Sequence, residues 1–256
     1  MLRIDINCDM GESSPLWDHS VERDVSILPF ISSVNLACGF HAGDPAVMHM
    51  MVEAALEAKV AIGAHPSYPD RENFGRINHS LSPQQIYDIV LYQLGALQGF
   101  LQVNGASLHH VKPHGALYNM AAKDPVIAKA ICDAVYDFDG SLILYGLAGS
   151  ELITVAKSCF LQTCSEVFAD RSYQADGTLT PRDQPGALIQ SGAVAIAQVL
   201  QMVQHQTVRS ITGKDIPVTA ETICIHSDGL HALQFAASVH EALTKAHIQI
   251  TDPVKK

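Results

Sequence analysis

No cluster of lysine or arginine interrupts this sequence. Its 256 residues hold 16 Lys and Arg against 26 Asp and Glu, a formal net charge of -10. A polyanion would be repelled over most of such a surface, which argues against a nucleic-acid partner. No C-x-x-C pair occurs among the six cysteines, Cys8, Cys38, Cys132, Cys159, Cys164 and Cys224. Cys8, Cys38 and Cys224 fall inside apolar, strand-like runs. That suits buried thiols in a reducing cytosol better than a disulfide framework or a structural zinc site. The N-terminus, MLRIDINCDMGE, is acidic from its fifth residue and lacks the apolar core of a signal peptide.

Three catalytic fingerprints are missing as well. There is no G-x-x-x-x-G-K-[ST] phosphate loop, since Gly213-Lys214 lacks the upstream glycines. No G-x-G-x-x-G follows the first strand-like run, and no G-x-S-x-G elbow occurs. Dinucleotide-dependent hydride transfer and serine-hydrolase chemistry both lose ground. Charge is absent from two long stretches, residues 89–111 and 184–208. Both carry Gln, Gly or Asn and keep a helical apolar stripe. They are expected to be well-buried helices rather than membrane spans, and their burial could include contact with a second copy of the chain. A soluble, cytoplasmic protein is expected.

What remains is rich in core and ordered in pattern. Hydrophobic residues make up 48% and charged residues 16%, enough to bury a full core. Seven short apolar runs recur, at residues 2–8, 32–38, 60–65, 107–112, 141–145, 163–169 and 221–226. Helical periodicity fills 45–58, 83–103, 125–136, 149–159, 186–205 and 230–246 between and after them. Such alternation predicts a parallel sheet with helices outside. No low-complexity linker divides the chain, so a single domain over 1–256 is expected, the size of one α/β barrel at ~250 residues.

The faces of the strands decide between an open sheet and a closed one. In the first run Ile4, Ile6 and Cys8 share one face, and Asp5, Asn7 and Asp9 the other. A central strand of an open sheet is covered by helices on both sides and would rarely tolerate that polar face. The lumen of a barrel can hold it. The pattern returns in His110, Lys112 and His114, in Glu166 and Asp170, and in His226 and Asp228. The fold class expected is α/β: a single irregular (β/α) barrel of about seven parallel strands.

In such a barrel the site forms where strands end and βα loops begin. Asp9 and Glu12 follow the first run; His41 and Asp44, in NLACGFHAGDP, the second; His65 the third. Lys112 and His114 follow the fourth, Asp170 and Arg171 the sixth, His226 and Asp228 the seventh. Any one of these has an ordinary structural explanation; six strand ends carrying acid, base or cation do not. Asp9 or Glu12 could orient or deprotonate water, and Lys112 could stabilise an oxyanion or a phosphate. His41, His65 or His114 could shuttle protons near neutral pH. Asp9, His41 and His65 could equally hold a divalent metal, and the two versions stay open. His110-x-x-x-His114 has metal-pair spacing but crosses a strand end, so it is set aside. His49, His205, His240 and His247 fall on predicted helices and read as surface or packing residues.

The motifs DINCDMGE, SVNLACGFHAGDP, GAHPSYPD, FGR, VKPHGALYN and FADRSYQADGTLTPR, in that order over residues 3–226, resemble the LamB/YcsF family. The resemblance implies a barrel akin to those of glycoside hydrolases and deacetylases. It implies one component, the A subunit, of a bacterial ATP-dependent 5-oxoprolinase, which opens 5-oxo-L-proline to L-glutamate with partner subunits B and C. ATP with Mg2+ would be required, bound here through irregular loops or on a partner. By position, the family's polar motif residues fall on Asp5, Asn7, Asp9, Glu12, Asn35, His41, Asp44, His65, Lys112, His114, Asp170, Arg171 and His226. Of these, Asp9, Glu12, His41, His65, Lys112, His114 and Asp170 are expected to be catalytic. Asp5, Asn7, Asn35, Asp44, Arg171 and His226, together with Asp228, are expected to hold substrate or phosphate. One departure stands out: where the family usually reads like C-x-H-G-D-N-P, this chain has Cys224-Ile225-His226-Ser227-Asp228-Gly229-Leu230. Two other readings compete. One is a stand-alone metal-dependent deacetylase or amidohydrolase, although a His-x-His after the first strand is missing. The other is a non-catalytic protein that binds a small molecule for its partners.

Overall fold

The computed structural model describes residues 1–13, 20–182, 184–226 and 231–255. Each of the seven apolar runs is a strand. β1 (Arg3–Met10), β2 (Ser33–Ala37), β3 (Ala61–His65), β4 (His110–Val111), β5 (Ile143–Leu147) and β6 (Gln162–Phe168) pair in order, all parallel. A short antiparallel hairpin, β7 (Thr207–Arg209) with β8 (Asp215–Pro217), precedes the last barrel strand, β9 (Thr222–His226). β9 pairs with β6 on one side and with β1 on the other, Asp5 opposite Thr222 and Asp9 opposite His226, and this closes the barrel. β10 (Gln249–Ile250) adds a parallel edge to the start of β1.

The helices begin where the sequence marks their starts. α2 (Pro45–Glu57), α3 (Pro83–Val103) and α5 (Pro125–Asp139) each open on Pro, behind Asp44, Ser82 and Asp124. Each cap side chain accepts from backbone N–H groups of the first turn, and Pro fits there because that turn has N–H groups without partners. α6 (Glu151–Ser158) and α8 (Ala232–Lys245) also lie where expected. α7 runs Gly192–His205, starting at its Ser191 cap. The six residues before it, expected as helix, begin with Gly186 at φ +79 and bridge back to Arg171 through Leu188. Two short helices were not anticipated: α1 (Val21–Ile27), running into the 3-10 turn Leu28–Phe30, and α4 (Gly115–Ala121).

The charge-free helices are amphipathic rather than wholly enclosed. α3 buries Ile86, Val90, Leu94, Leu97 and Leu101 but leaves Tyr92 66% exposed. α7 buries Val199 and Met202 and exposes Val194. Among the described residues no helix is long and apolar enough to cross a membrane. All six cysteines are unpaired, and all but Cys159 are buried.

The main core lies between strands and helices. A second, small cluster of Ile143, Tyr145 and Cys164 stands apart from it. These three alternate inward on β5 and β6, so they plug the lumen. Gly63 makes the lumen fit: a Cβ there would meet Nε2 of His110 at 2.1 Å. The glycine lets the buried imidazole reach over β3 to Asn35 on β2.

Candidate active site at the barrel mouth

Polar side chains fill the lumen above the apolar plug. Lowest is Asp5, whose carboxylate accepts from Ser32 Oγ at 2.6 Å, Ser33 Oγ at 2.7 Å, Tyr145 OH at 3.0 Å and Thr222 Oγ1 at 2.6 Å. Burial raises its pKa, against the pull of those hydrogen bonds. One level up, Asn35 Nδ2 donates to Asn7 Oδ1 at 2.7 Å and Asp9 Oδ1 at 2.8 Å, while His110 Nε2 donates to Asn35 Oδ1 at 2.8 Å. Asn7 Nδ2 donates to Glu166 Oε1 at 2.9 Å. Asp5, Asn7 and Asn35 are therefore walled in below the mouth, where they support the residues above them.

Lys112 closes this network. Its ammonium lies 2.9 Å from Asp9 Oδ1, 2.8 Å from Glu166 Oε1, 3.1 Å from Asn7 Oδ1 and 3.1 Å from Cys224 Sγ. Burial works against the ammonium, but the carboxylates of Asp9 and Glu166 outweigh it and hold the pKa well above the ordinary value. Asp9 is the mirror case: burial disfavours its charge, yet the Lys112 ammonium at 2.9 Å helps keep it well below the carboxylate range. Burial keeps the Cys224 thiol protonated despite Lys112. Glu166, absent from the sequence-derived site, also accepts from Tyr118 OH at 2.7 Å.

Across the mouth a second group gathers. Nδ1 of His65 lies 2.6 Å from the carbonyl of Lys112, and Nε2 of His114 lies 2.8 Å from the carbonyl of Phe74. A carbonyl only accepts, so each of those nitrogens carries its proton. The other nitrogens face each other, His65 Nε2 to His114 Nδ1, at 3.0 Å. His41 stacks on His114 at 3.8 Å between centroids. Its Nδ1 sits 2.9 Å from Ser67 Oγ, whose proton goes to the Tyr68 carbonyl. Glu12 Oε1 stands among the three rings, 3.2 Å from His41 Nε2, 3.3 Å from His114 Nδ1 and 3.7 Å from His65 Nε2. Burial lowers the His41 pKa to about 3, with His114 adding to it, and burial lowers His114 too.

The loops carrying these rings are pinned from outside the site. The Arg71 guanidinium donates to the carbonyls of Gly39, at 2.8 Å, and Gly43, on either side of His41. Gln93, from α3, clamps both backbone groups of Ser67 at 2.9 Å. Gly115 has φ +55, and a Cβ there would lie 2.5 Å from the carbonyl oxygen of Gly75, so the loop after β4 packs directly on the FGR turn.

A cavity of about 790 Å³ opens over both groups. Asp9, Glu12, His65, Lys112, His114, Arg171 and His226 line it, as does Tyr118. So do Arg76, Lys123 and Arg182, which sequence reasoning did not single out. Arg171 is partly committed, donating to the Thr180 carbonyl at 2.6 Å and the Ala187 carbonyl at 3.4 Å. Asp170 sits behind His226, its Oδ2 3.0 Å from Nδ1. Asp44 is elsewhere: exposed, it caps α2 by accepting from the N–H groups of Ala46 and Val47 at 2.9 Å each. Asp228 lies outside the described residues. Of the metal triad expected from Asp9, His41 and His65, Asp9 Oδ2 lies 3.4 Å from His65 Nε2; His41 and His65 also gather with Glu12 and His114, and Asp9 with Cys224 and His226.

A closed parallel barrel whose strand C-termini converge on a buried acid–base–cation cluster beneath an open cavity has the architecture of a β/α-barrel enzyme. Comparison with known proteins makes this specific. The chain belongs to the LamB/YcsF family, whose model matches residues 4–256. A protein of Tolumonas auensis, named as the A subunit of 5-oxoprolinase, is 56% identical over 98% of this chain and 99% of its own length. One of the same name from Bacillus subtilis is 52% identical over 98% and 97%. The crystal structure of the lactam utilization protein from Thermus thermophilus matches with a TM-score of 0.91 at 41% identity, covering 98% of this chain and 99% of that one.

Proposed function

We propose that this chain is the A subunit of an ATP-dependent 5-oxoprolinase, which opens 5-oxo-L-proline to L-glutamate together with subunits B and C. The observation that carries the reading is the charge of the cavity. In a chain of net charge -10, Arg76, Lys112, Lys123, Arg171 and Arg182 line one cavity with Asp9, Glu12 and the histidines. That suits an anionic amide substrate and a transferable phosphate. The names of the relatives supply the substrate class.

A five-membered lactam is a poor electrophile, and ATP would activate it by placing a phosphoryl group on the lactam oxygen. Water then adds to the ring carbon, the C–N bond breaks with the electron pair and a proton going to nitrogen, and a second water releases phosphate from the resulting acyl phosphate. With no glycine-rich loop present, the phosphates would be held here by side chains, with Arg76, Lys123 and Arg182 best placed. Asp9, fixed as a carboxylate, orients the water. Lys112 holds Asp9 in position, its own N–H groups being taken by Asp9, Glu166 and Asn7.

The test is glutamate release from 5-oxoproline with ATP and magnesium, first with this chain alone and then with subunits B and C. Turnover only in the mixture is expected, falling roughly 100-fold or more in Asp9→Asn with folding retained. A silent mixture overturns the reading. The Glu12–histidine group favours a second one, a metal-dependent hydrolase acting alone, for which activity of the single chain would be abolished by chelator.

A further inference from the structure

Two constellations at the barrel mouth bring metal-binding residue types together, and they differ in one respect. The group Asp9, Cys224 and His226 already has a cation beside it, the Lys112 ammonium, 2.9 Å from Asp9 and 3.1 Å from Cys224. Among the described residues no ammonium stands between Glu12, His41, His65 and His114. All four are buried, and one donor atom from each lies within 4.8 Å of the others.

The proton positions decide what this second group can hold. His65 and His114 spend their N–H groups on backbone carbonyls, and His41 spends its own on the Ser67 hydroxyl. The lone pairs of His65 and His114 are left facing each other beside Glu12 Oε1, and that of His41, whose ring lies parallel on His114, points at the same Glu12 oxygen. Lone pairs facing at 3.0–3.7 Å repel unless a positive centre sits between them. Outer N–H groups anchored on carbonyl or hydroxyl partners are also how metal-ligating histidines are usually fixed.

We propose that Glu12, His41, His65 and His114 form a site for one divalent transition-metal ion of the zinc type. Ligands ~2.0–2.1 Å from a tetrahedral Zn2+ stand ~3.3 Å from one another. Four of the six donor separations match this, 3.0 Å for His65–His114, 3.2 Å for His41–Glu12, 3.3 Å for His114–Glu12 and 3.7 Å for His65–Glu12. The two that pair His41 with His65 and His114 lie within 4.8 Å. Three nitrogens and one oxygen suit Zn2+, Co2+ or Fe2+; Mg2+ and Ca2+ take oxygen sets. The site is therefore distinct from any Mg2+ that accompanies ATP. It is open on one side, because Glu12, His65 and His114 also line the cavity. The inference goes beyond the lactam reading and does not depend on it.

The experiment is metal uptake by the full chain after chelator treatment, with Zn2+ followed by calorimetry and Co2+ by its visible spectrum. One ion per chain is expected, with the strong absorption of four-coordinate Co2+. His65→Ala and His114→Ala should weaken Zn2+ binding by more than the ~10–100-fold that loss of an outer partner costs. Glu12→Gln, which keeps the side chain's size, serves if either alanine variant fails to fold. His49→Ala, on the exposed face of α2, should leave binding unchanged. No uptake of either ion by the folded wild type overturns the proposal, as does binding that survives in the folded ligand variants. Metal uptake with a silent glutamate assay would leave this inference standing and remove only the lactam one.

Discussion

The two sides of the barrel mouth handle buried charge in opposite ways. On one side Lys112 lies between Asp9 and Glu166, with Asn7 completing its hydrogen bonds, so the charges are answered inside the protein. On the other, three imidazoles turn their protons outward to fixed partners and their lone pairs inward. The first arrangement is finished by folding alone. The second is the one proposed above to take a metal ion. One part of a site can therefore act as a structural keystone while its neighbour, a few ångströms away, is built to receive.

The contrast breaks most visibly at Lys112. Replacing it by Met leaves Asp9 and Glu166 buried without their cation, which should cost about 3–5 kcal/mol. Urea unfolding would read this as a lower midpoint at an unchanged slope. A midpoint close to wild type would mean that the Lys112 side is no keystone. A smaller effect sharpens the border of the site. Asp44→Ala removes only the α2 cap and should cost about 1 kcal/mol. In the reconstituted glutamate assay it should leave kcat and KM unchanged; a raised KM would return Asp44 to the substrate.

Why Asp44 looked functional, and Glu166 did not, shows what a sequence can carry. The alternation of Asp5, Asn7 and Asp9 against Ile4, Ile6 and Cys8 was enough to predict a lumen rather than an open sheet, and apolar periodicity placed α2, α3 and α5. Depth was not legible. Three residues on one face of a strand look alike in sequence, yet at ~3.3 Å per residue Asp5 sits roughly 13 Å below Asp9. One belongs to the floor and the other to the mouth. His110 and His114 posed the same problem: the first points into the lumen at Gly63, and the second joins Glu12. Proton positions were equally hidden, since they depend on carbonyls of Lys112 and Phe74 that only the fold brings near. α1, α4 and the β7–β8 hairpin escaped notice because each is too short for periodicity to register.

The smallest effect concerns a third arrangement at the rim, the pair Asp170 and His226. Burial opposes the His226 charge, but Asp170, and Asp9 beyond it, outweigh burial and the repulsion of Arg182, raising the pKa above 6.5. Burial also opposes the Asp170 charge, and His226 outweighs it, lowering that pKa below 3.8. A histidine with a raised folded pKa stabilises most below its unfolded value, and the contribution fades as pH climbs through the folded value. A carboxylate with a lowered pKa stabilises above its unfolded value, and its contribution fades as pH falls through the folded one. The pair therefore contributes fully only between about pH 4 and pH 6.5. The stability difference between wild type and His226→Gln, followed by urea unfolding from about pH 5 to about pH 8, should be largest at the acid end and shrink toward pH 8. A difference that stays flat would mean His226 is held by packing on Phe168, 5.9 Å away between ring centroids, rather than by charge. The rim would then belong with neither the self-neutralised side nor the receptive one.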